Sequence, residues 1–149
     1  MKVLIVDDSL TIRAMIQQVL AKERDIEILG LAAAAGEAMA ILAERRADVI
    51  TLDVDMPGTN GLELLSQLME HHPYPIVMVS SRMGEGNDAR GDALRLGALS
   101  CFNKAHVVSH AKDFVKAIRA AYLHKQKHLE RYYSKTAPQA VVIQDEAED

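Results

Sequence analysis

The hydrophobic residues of this chain follow two patterns that alternate along its length. Five short runs are almost continuously apolar or β-branched, as in parallel strands that are covered on both faces. Five longer segments repeat apolar residues every three or four positions, which indicates amphipathic helices. The strands are predicted at residues 2–6, 26–32, 49–52, 75–80 and 99–103, and the helices at 10–22, 36–45, 61–71, 87–96 and 107–127.

The regular alternation of strand and helix predicts the fold class. Because the links are short, each helix must cross over between parallel strands of one sheet, and such crossovers are right-handed. We therefore expect an α/β fold with a five-stranded parallel sheet and five helices, doubly wound so that helices cover both faces. A chain of 149 residues fits one such domain.

The end of the chain differs from the rest. We predict a domain over residues 1–127, then a helix extension and an acidic, flexible tail over 128–149. The last helix is expected to end between Lys125 and Tyr133. The tail holds Pro138, one apolar run, "AVVI" at 140–143, and four acids without a base: Asp145, Glu146, Glu148 and Asp149.

Charge and composition exclude several classes of function. The net charge is −4, so without the four tail acids the rest of the chain is close to neutral, unlike a nucleic-acid-binding surface. A single cysteine, Cys101, cannot form an internal disulfide, which favours a reducing compartment. No apolar run approaches the length of a signal peptide core or a membrane span. We expect a cytoplasmic protein that binds neither nucleic acid nor membrane.

Polar residues follow four of the predicted strands at their carboxyl ends. Asp7 and Asp8 follow the first strand, Asp53 the third, Ser80 ends the fourth, and Lys104 follows the fifth. Ligands of open α/β sheets bind at this edge, so these side chains are expected to meet there. Close carboxylates repel one another, and a divalent cation relieves the repulsion. All-oxygen ligands suit Mg²⁺, and Asp53 is then a candidate nucleophile toward a phosphoryl group.

These residues lie in sequence motifs that resemble the receiver domain of two-component response regulators. The motifs are "VDDS", "LDVDMPGTNG", "MVSS" and the lysine after "GALSCFN", and the similarity covers residues 2 to about 125. Their wording is closest to the receivers of chemotaxis methylesterase regulators. The resemblance implies a flavodoxin-like fold and a signalling function, in which a sensor His kinase or phosphotransfer protein supplies the phosphoryl group.

The resemblance also implies a function for each residue. Asp53 would accept the phosphoryl group, Ser80 would be the switch hydroxyl, and Lys104 would contact the phosphate. Mg²⁺ would be held by three carboxylates and one backbone carbonyl, from Asp7, Asp8, Asp53 and Asp55. The protein is expected to signal through a downstream protein partner, as a monomer or weak dimer.

Two positions depart from the family pattern. Ala105 follows Lys104 where proline is usual, with a cis bond before it; since a cis bond without proline costs about 3 kcal/mol, we expect a trans bond or local strain. Cys101 stands where members often carry an aromatic switch residue. Phe102 is adjacent, but successive strand residues face opposite sides, so it should not substitute for that ring.

Three functions are compatible with this sequence. The preferred one is a stand-alone receiver that catalyses only its own phosphorylation and dephosphorylation. An alternative is a phosphate sink that drains a kinase. A less favoured alternative is a Mg²⁺-dependent small-molecule phosphatase, since Asp55 lies two residues after Asp53 where such enzymes carry a second acid. The sequence contains no G-x-S-x-G motif, which argues against methylesterase activity in this chain.

Overall fold

The computed structural model describes residues 1–56, 61–81 and 89–136. Their strands follow the apolar runs of the sequence to within one or two residues. These strands are β1 (Lys2–Val6), β2 (Glu27–Ala32), β3 (Val49–Asp53), β4 (Ile76–Ser80) and β5 (Ser100–Asn103).

Six helices are found in the described residues, one more than predicted. They are α1 (Leu10–Ala21), α2 (Ala35–Glu44), α3 (Gly61–His71), α4 (Ala89–Arg95), α5 (His106–Ser109) and α6 (Ala111–Thr136). Ser9 caps α1 by accepting a hydrogen bond from the backbone N–H of Ile12, as its position in the sequence indicates.

The prediction of one helix over 107–127 was wrong in two respects. The backbone leaves helical geometry at His110, with φ −124° and ψ 47°, which separates α5 from α6. The expected end between Lys125 and Tyr133 was also too early, because α6 continues to Thr136. The predicted acidic tail, from residue 137 onward, lies outside the described residues.

The strands form one parallel sheet in the order β2-β1-β3-β4-β5. The prediction of a doubly wound α/β fold with a five-stranded parallel sheet is confirmed. The chain turns back between β2 and β3, so β1 and β3 are neighbours at the point where the direction of strand addition reverses. Open α/β sheets bind ligands beside this point, at the carboxyl edge.

Two hydrophobic clusters cover the two faces of the sheet. The cluster on one face includes Leu4, Leu52 and Met78 with α3 residues such as Leu65. The cluster on the other includes Ile5 and Val79 with α1 and α6 residues such as Ile16 and Phe114. Neighbouring strand residues thus alternate between the faces, as the pleat requires. No helix in the described ranges is long and apolar enough to span a bilayer.

The same alternation separates Cys101 from Phe102. Cys101 packs against the cluster that contains Leu65. Phe102 packs on the opposite face, where its ring meets Phe114 edge-on with centroids 5.1 Å apart. The prediction that Cys101 and Phe102 face opposite sides of the sheet is confirmed.

Candidate functional site

The carboxyl edge of the sheet brings four elements to one place. Apolar runs bury β1, β3 and β4 almost completely, so the polar residues at their ends are fixed by the strands themselves. Asp7, Asp53 and Ser80 are fully buried there, although each carries a polar side chain. Lys104 follows β5, and its backbone N–H donates to the Ser80 carbonyl at 3.1 Å, which ties the end of β5 to the site.

Lys104 links the two buried carboxylates. Its Nζ lies 3.0 Å from Oδ1 of Asp53 and 3.4 Å from Oδ2 of Asp7. Only 15% of the lysine side chain is exposed, so these ion pairs are shielded from water. Buried charges need such partners, and one ammonium group is shared here between two carboxylates.

Tight backbone turns hold the same two carboxylates. Oδ1 of Asp7 accepts a hydrogen bond from the backbone N–H of Ser9 at 2.9 Å, and Oδ1 of Asp53 accepts one from the N–H of Asp55, also at 2.9 Å. In each turn the donor lies two residues after the acid, as in the Asx-turns that Asp favours. One oxygen of each carboxylate is therefore fixed, and the other is directed elsewhere.

The carboxylates of Asp7 and Asp53 form an acidic cluster with Asp8. Oδ2 of Asp53 is buried and accepts no hydrogen bond from any described residue, and Oδ2 of Asp7 is buried with the 3.4 Å ion pair to Lys104 as its contact. Asp7, Asp8 and Asp53 each direct one carboxylate oxygen into a group whose members lie within 4.8 Å of one another. Buried acceptors without donors cost free energy, and a cation coordinated by oxygen removes that cost. The donor set therefore fits a divalent metal ion.

The electrostatics of Asp53 reflect this crowding. Its pKa is raised from 3.8 to about 6, mainly by burial and also by the charge of Asp7, against the Asp55 N–H and Lys104, which lower it. Burial alone would lower the pKa of Lys104, but its hydrogen bond to Asp53 and the charges of both acids outweigh burial and raise it. Without a second cation, the site favours a charged lysine and resists full ionisation of Asp53.

Ser80 reaches the site by a different contact. Its hydroxyl donates to Oδ2 of Asp55 at 3.3 Å. Asp55 thus contacts Asp53 through its backbone N–H and Ser80 through its side chain. Of the predicted site residues, the structure brings together Asp7, Asp8, Asp53 and Lys104 directly, and Ser80 through Asp55.

Two further residues shape the site without having been predicted. The guanidinium of Arg13 donates to the backbone carbonyl of Asp7 at 2.7 Å. Gly61 opens α3 so close to β3 that a Cβ atom there would lie 2.4 Å from the Asp53 carbonyl oxygen. The glycine was part of the "LDVDMPGTNG" motif, whereas no sequence signal singles out Arg13 from other helical arginines.

The Lys104–Ala105 bond is trans, as predicted, like every other peptide bond in the described residues. The Ala105 N–H donates to the side-chain oxygen of Asn103 at 2.9 Å. Proline has no N–H and cannot make this bond. Alanine thus adds a local hydrogen bond beside the site lysine in place of proline's fixed ring.

Comparisons with curated proteins identify relatives that are longer than this chain. The protein-glutamate methylesterase/protein-glutamine glutaminase of Agrobacterium fabrum (strain C58 / ATCC 33970) is 39% identical over an aligned length of 149, and the alignment covers 97% of this chain and 42% of the relative. The corresponding protein 2 of Shewanella sp. (strain MR-4) is 42% identical, over 76% of this chain and 32% of its own length. The chain thus spans about two fifths or less of these relatives.

Solved structures and a family model identify the part of the longer relatives that this chain matches. The response regulator domain of Thermotoga maritima CheB has a TM-score of 0.76 and 33% identity, covering 82% of this chain and 96% of that one. A receiver domain protein from Clostridium thermocellum has a TM-score of 0.73 and 26% identity, covering 84% and 96%. The model of the response regulator receiver domain matches residues 3–120, which include every residue of the carboxylate site. The chain therefore belongs to the response regulator receiver domain family.

Proposed function

We propose that this chain is a phospho-accepting receiver that takes a phosphoryl group on Asp53 in the presence of Mg²⁺ and signals through protein–protein contacts. The observation that carries the proposal is the buried Oδ2 of Asp53, which accepts no hydrogen bond from the described residues and belongs to a carboxylate of the acidic cluster. An oxygen in this position is available to attack phosphorus, whereas Oδ1 is already engaged by Lys104 and the Asp55 N–H.

The metal site would use the acidic cluster. Asp7, Asp8 and Asp53 supply carboxylate oxygens, and the backbone carbonyl of Asp55 completes the protein ligands. Bound Mg²⁺ would neutralise charge on the phosphoryl oxygens and leave room for water and phosphate in its coordination shell. Because Asp8 is exposed, the cluster opens to solvent on the side from which a phosphodonor would approach.

The chemical step would transfer phosphorus from nitrogen to oxygen. A carboxylate oxygen of Asp53 forms a bond to the phosphorus of a phosphohistidine while the phosphorus–nitrogen bond breaks, and the leaving imidazole nitrogen takes up a proton from solvent. Lys104 then exchanges its contact with the Asp53 carboxylate for one with a phosphoryl oxygen. The Ser80 hydroxyl would leave Asp55 and donate to another phosphoryl oxygen.

The proposed donor and partner follow from this chemistry. A His kinase or phosphotransfer protein would supply the phosphohistidine, and the phosphorylated domain would be recognised by a protein partner. The methylesterase and glutaminase activities named for the relatives belong to proteins more than twice as long, so they are not assigned to this chain.

Incubation with acetyl phosphate and Mg²⁺ tests the proposal. Intact mass spectrometry should detect one labile phosphoryl group per chain, and the Asp53→Asn variant should gain none. Asp48→Asn is the matched control, because this acid lies at the opposite edge of the sheet and accepts a hydrogen bond from the Lys2 N–H. Phosphorylation of Asp53→Asn would sink the assignment, and continuous release of phosphate from small esters would favour the phosphatase alternative.

A further inference from the structure

An apolar cleft of about 390 Å³ lies at the opposite edge of the sheet from the carboxylate site. Its walls include Met69 of α3 and the residues directly before two strands, Pro75 before β4 and Leu99 before β5. Tyr74 and the α6 residue Lys125 complete the lining on which the argument rests. The cleft takes no part in the proposed phosphoryl chemistry.

The rim of the cleft carries positive charge. Lys125 lines the cleft and is only half-buried, and burial together with the nearby charge of Arg46 lowers its pKa, against the opposing charge of Asp48. His72 stacks against Tyr74 with ring centroids 4.4 Å apart, and its buried Nδ1 has no hydrogen-bond partner among the described residues. An occupant with an apolar segment next to acidic groups would complement both the floor and the rim.

The same chain carries such a segment within reach. From Lys125, α6 continues eleven residues to Thr136, a rise of about 16 Å past the cleft. The run "AVVI" begins four residues after Thr136, and the five to seven residues from Thr136 to 141–143 span up to about 17–23 Å when extended. We propose that residues 140–143 occupy the apolar cleft of their own chain, with the acids at 145–149 facing Lys125 and Arg46.

Composition and tethering favour this occupant over a second copy of the chain. The tail has four acids and no base, whereas the rest of the chain has no net charge. The tail is therefore attracted to positively charged places on the rest of the chain, such as the rim of the cleft. The four residues are flanked by Gln139 and Gln144 and form the only apolar run after Thr136 in the sequence. A short tether gives an effective concentration of about millimolar, which favours the intramolecular contact.

Methyl NMR of the full chain tests the proposal. In the Val141→Asp/Val142→Asp variant, the resonances of the Met69 ε-methyl and the Leu99 methyls should shift, and nuclear Overhauser contacts between residues 141–143 and Met69 should be lost. The Met15 methyl, on the distant helix α1, should not shift. Gln139→Asp/Gln144→Asp adds the same two charges just outside the apolar run and should leave the Met69 contacts in place.

A deletion of residues 137–149 should reproduce the shifts of the Val141→Asp/Val142→Asp variant. Unchanged Met69 and Leu99 resonances in both variants, together with no contact from residues 141–143 in the full chain, would overturn the proposal. A sample that mixes chains with different isotope labels distinguishes contacts within one chain from contacts between two chains. Contacts that appear between labels and grow with concentration would assign the cleft to a second copy, which also overturns it.

Discussion

Asp53 is a buried acid whose ionisation lowers the stability of the folded chain. It is fully buried at the end of β3, and its two oxygens face one ammonium, one N–H and the acidic cluster. A group whose pKa is higher in the folded chain than in the unfolded chain binds its proton more tightly when folded. Ionised Asp53 therefore destabilises the metal-free protein at neutral pH, and a cation bound by the acidic cluster would offset this effect.

The sign of this effect gives a prediction for the Asp53→Asn variant. With a folded-state pKa of about 6 against 3.8, stabilisation by the protonated carboxyl is complete below pH 3.8 and is lost as pH rises through 6. In the presence of a chelator, Asp53→Asn should be more stable than the original protein at pH 8, by on the order of 1–3 kcal/mol. The difference should shrink toward pH 4 in urea denaturation.

The Asp48→Asn variant provides the control for that comparison. Asp48 accepts a hydrogen bond from the Lys2 N–H at 2.7 Å at the amino edge, so its replacement is not expected to stabilise the protein at pH 8. An Asp53→Asn protein that is less stable than the original at pH 8 would show that the ion pair with Lys104 outweighs the cost of burial.

Adding Mg²⁺ should raise the stability of the original protein most at the pH values where Asp53 is ionised. The ion would bind the ionised carboxylates, so stabilisation by ligand binding is expected to be larger at pH 8 than at pH 5.5, where Asp53 is mostly protonated. Thermal denaturation of the original protein and of Asp53→Asn measures the difference, and the variant should respond less. An equal rise in the melting temperature at both pH values would contradict the assignment of Asp53 as a ligand.

At the scale of elements, Gly61 sets the distance between α3 and β3. A Cβ atom at this position would lie 2.4 Å from the Asp53 carbonyl oxygen and 2.7 Å from Val54 Cα, both of which are backbone atoms. Gly61→Ala must therefore displace α3 or β3, and we expect a loss of stability of about 1–3 kcal/mol with slower phosphorylation by acetyl phosphate.

Gly36→Ala is the matched control for the Gly61 prediction. A Cβ atom at Gly36, in helix α2, would have no heavy atom within 4 Å. The change should therefore stabilise the protein by about 0.4–1 kcal/mol by restricting the unfolded chain, with no effect on phosphorylation. A Gly61→Ala protein with unchanged stability and unchanged rate would remove the glycine from the packing of the site.

Strand β5 leads to a prediction about signalling. The receiver resemblance implies that a switch hydroxyl moves on phosphorylation and that an aromatic ring on the fifth strand follows it. Here that position is Cys101, a much smaller side chain, and Phe102 packs on the other face against Phe114. Coupling is limited by the difference in contacts between the two states, so the response of α4 and β5 should be weak.

Amide chemical shifts with and without Mg²⁺ and beryllofluoride measure that response. Residues around Asp53 and Lys104 should shift strongly, while residues 91–103 should shift little apart from those beside Lys104. Changes across 91–103 as large as those around Asp53 would show that another group transmits the signal.

The strands, the helices and the positions of the strand ends were predictable because the hydrophobic pattern of the sequence determines each of them. A buried strand reads as an apolar run, and the first polar residue after it, such as Asp7 or Asp53, must lie at its carboxyl edge. The break at His110 was not predictable, because Val107, Ala111 and Phe114 keep helical spacing across it. The Ser80–Asp55 contact depends on the conformations of two side chains, which no pattern in the sequence specifies.

At the scale of the molecule, contacts between distant parts of the chain hold the layers together. Arg119 of α6 binds Asp25 with two nitrogens, at 2.8 and 3.1 Å, and Glu23 at 2.7 Å, although 94 and 96 residues separate them. These pairs are exposed enough to be screened by water, so burial of the strands carries most of the stability. That burial is uneven, because β1 and β3 lie inside the sheet whereas β5 is an edge strand.

This difference in burial predicts which strands open more easily to hydrogen exchange. Every residue of β3 is buried, whereas all four residues of β5 are only half-buried, so native-state hydrogen exchange should place β5 at a lower opening free energy than β3. Mg²⁺ would bind carboxylates that follow β1 and β3, and it should slow exchange in those strands by a factor of about 1 + [Mg²⁺]/Kd. Openings that release β5 alone leave the carboxylates in place, so exchange in β5 should slow much less. Equal slowing of exchange in β3 and β5 would mean that the two strands open together, so that β5 and the carboxylate site form one cooperative unit.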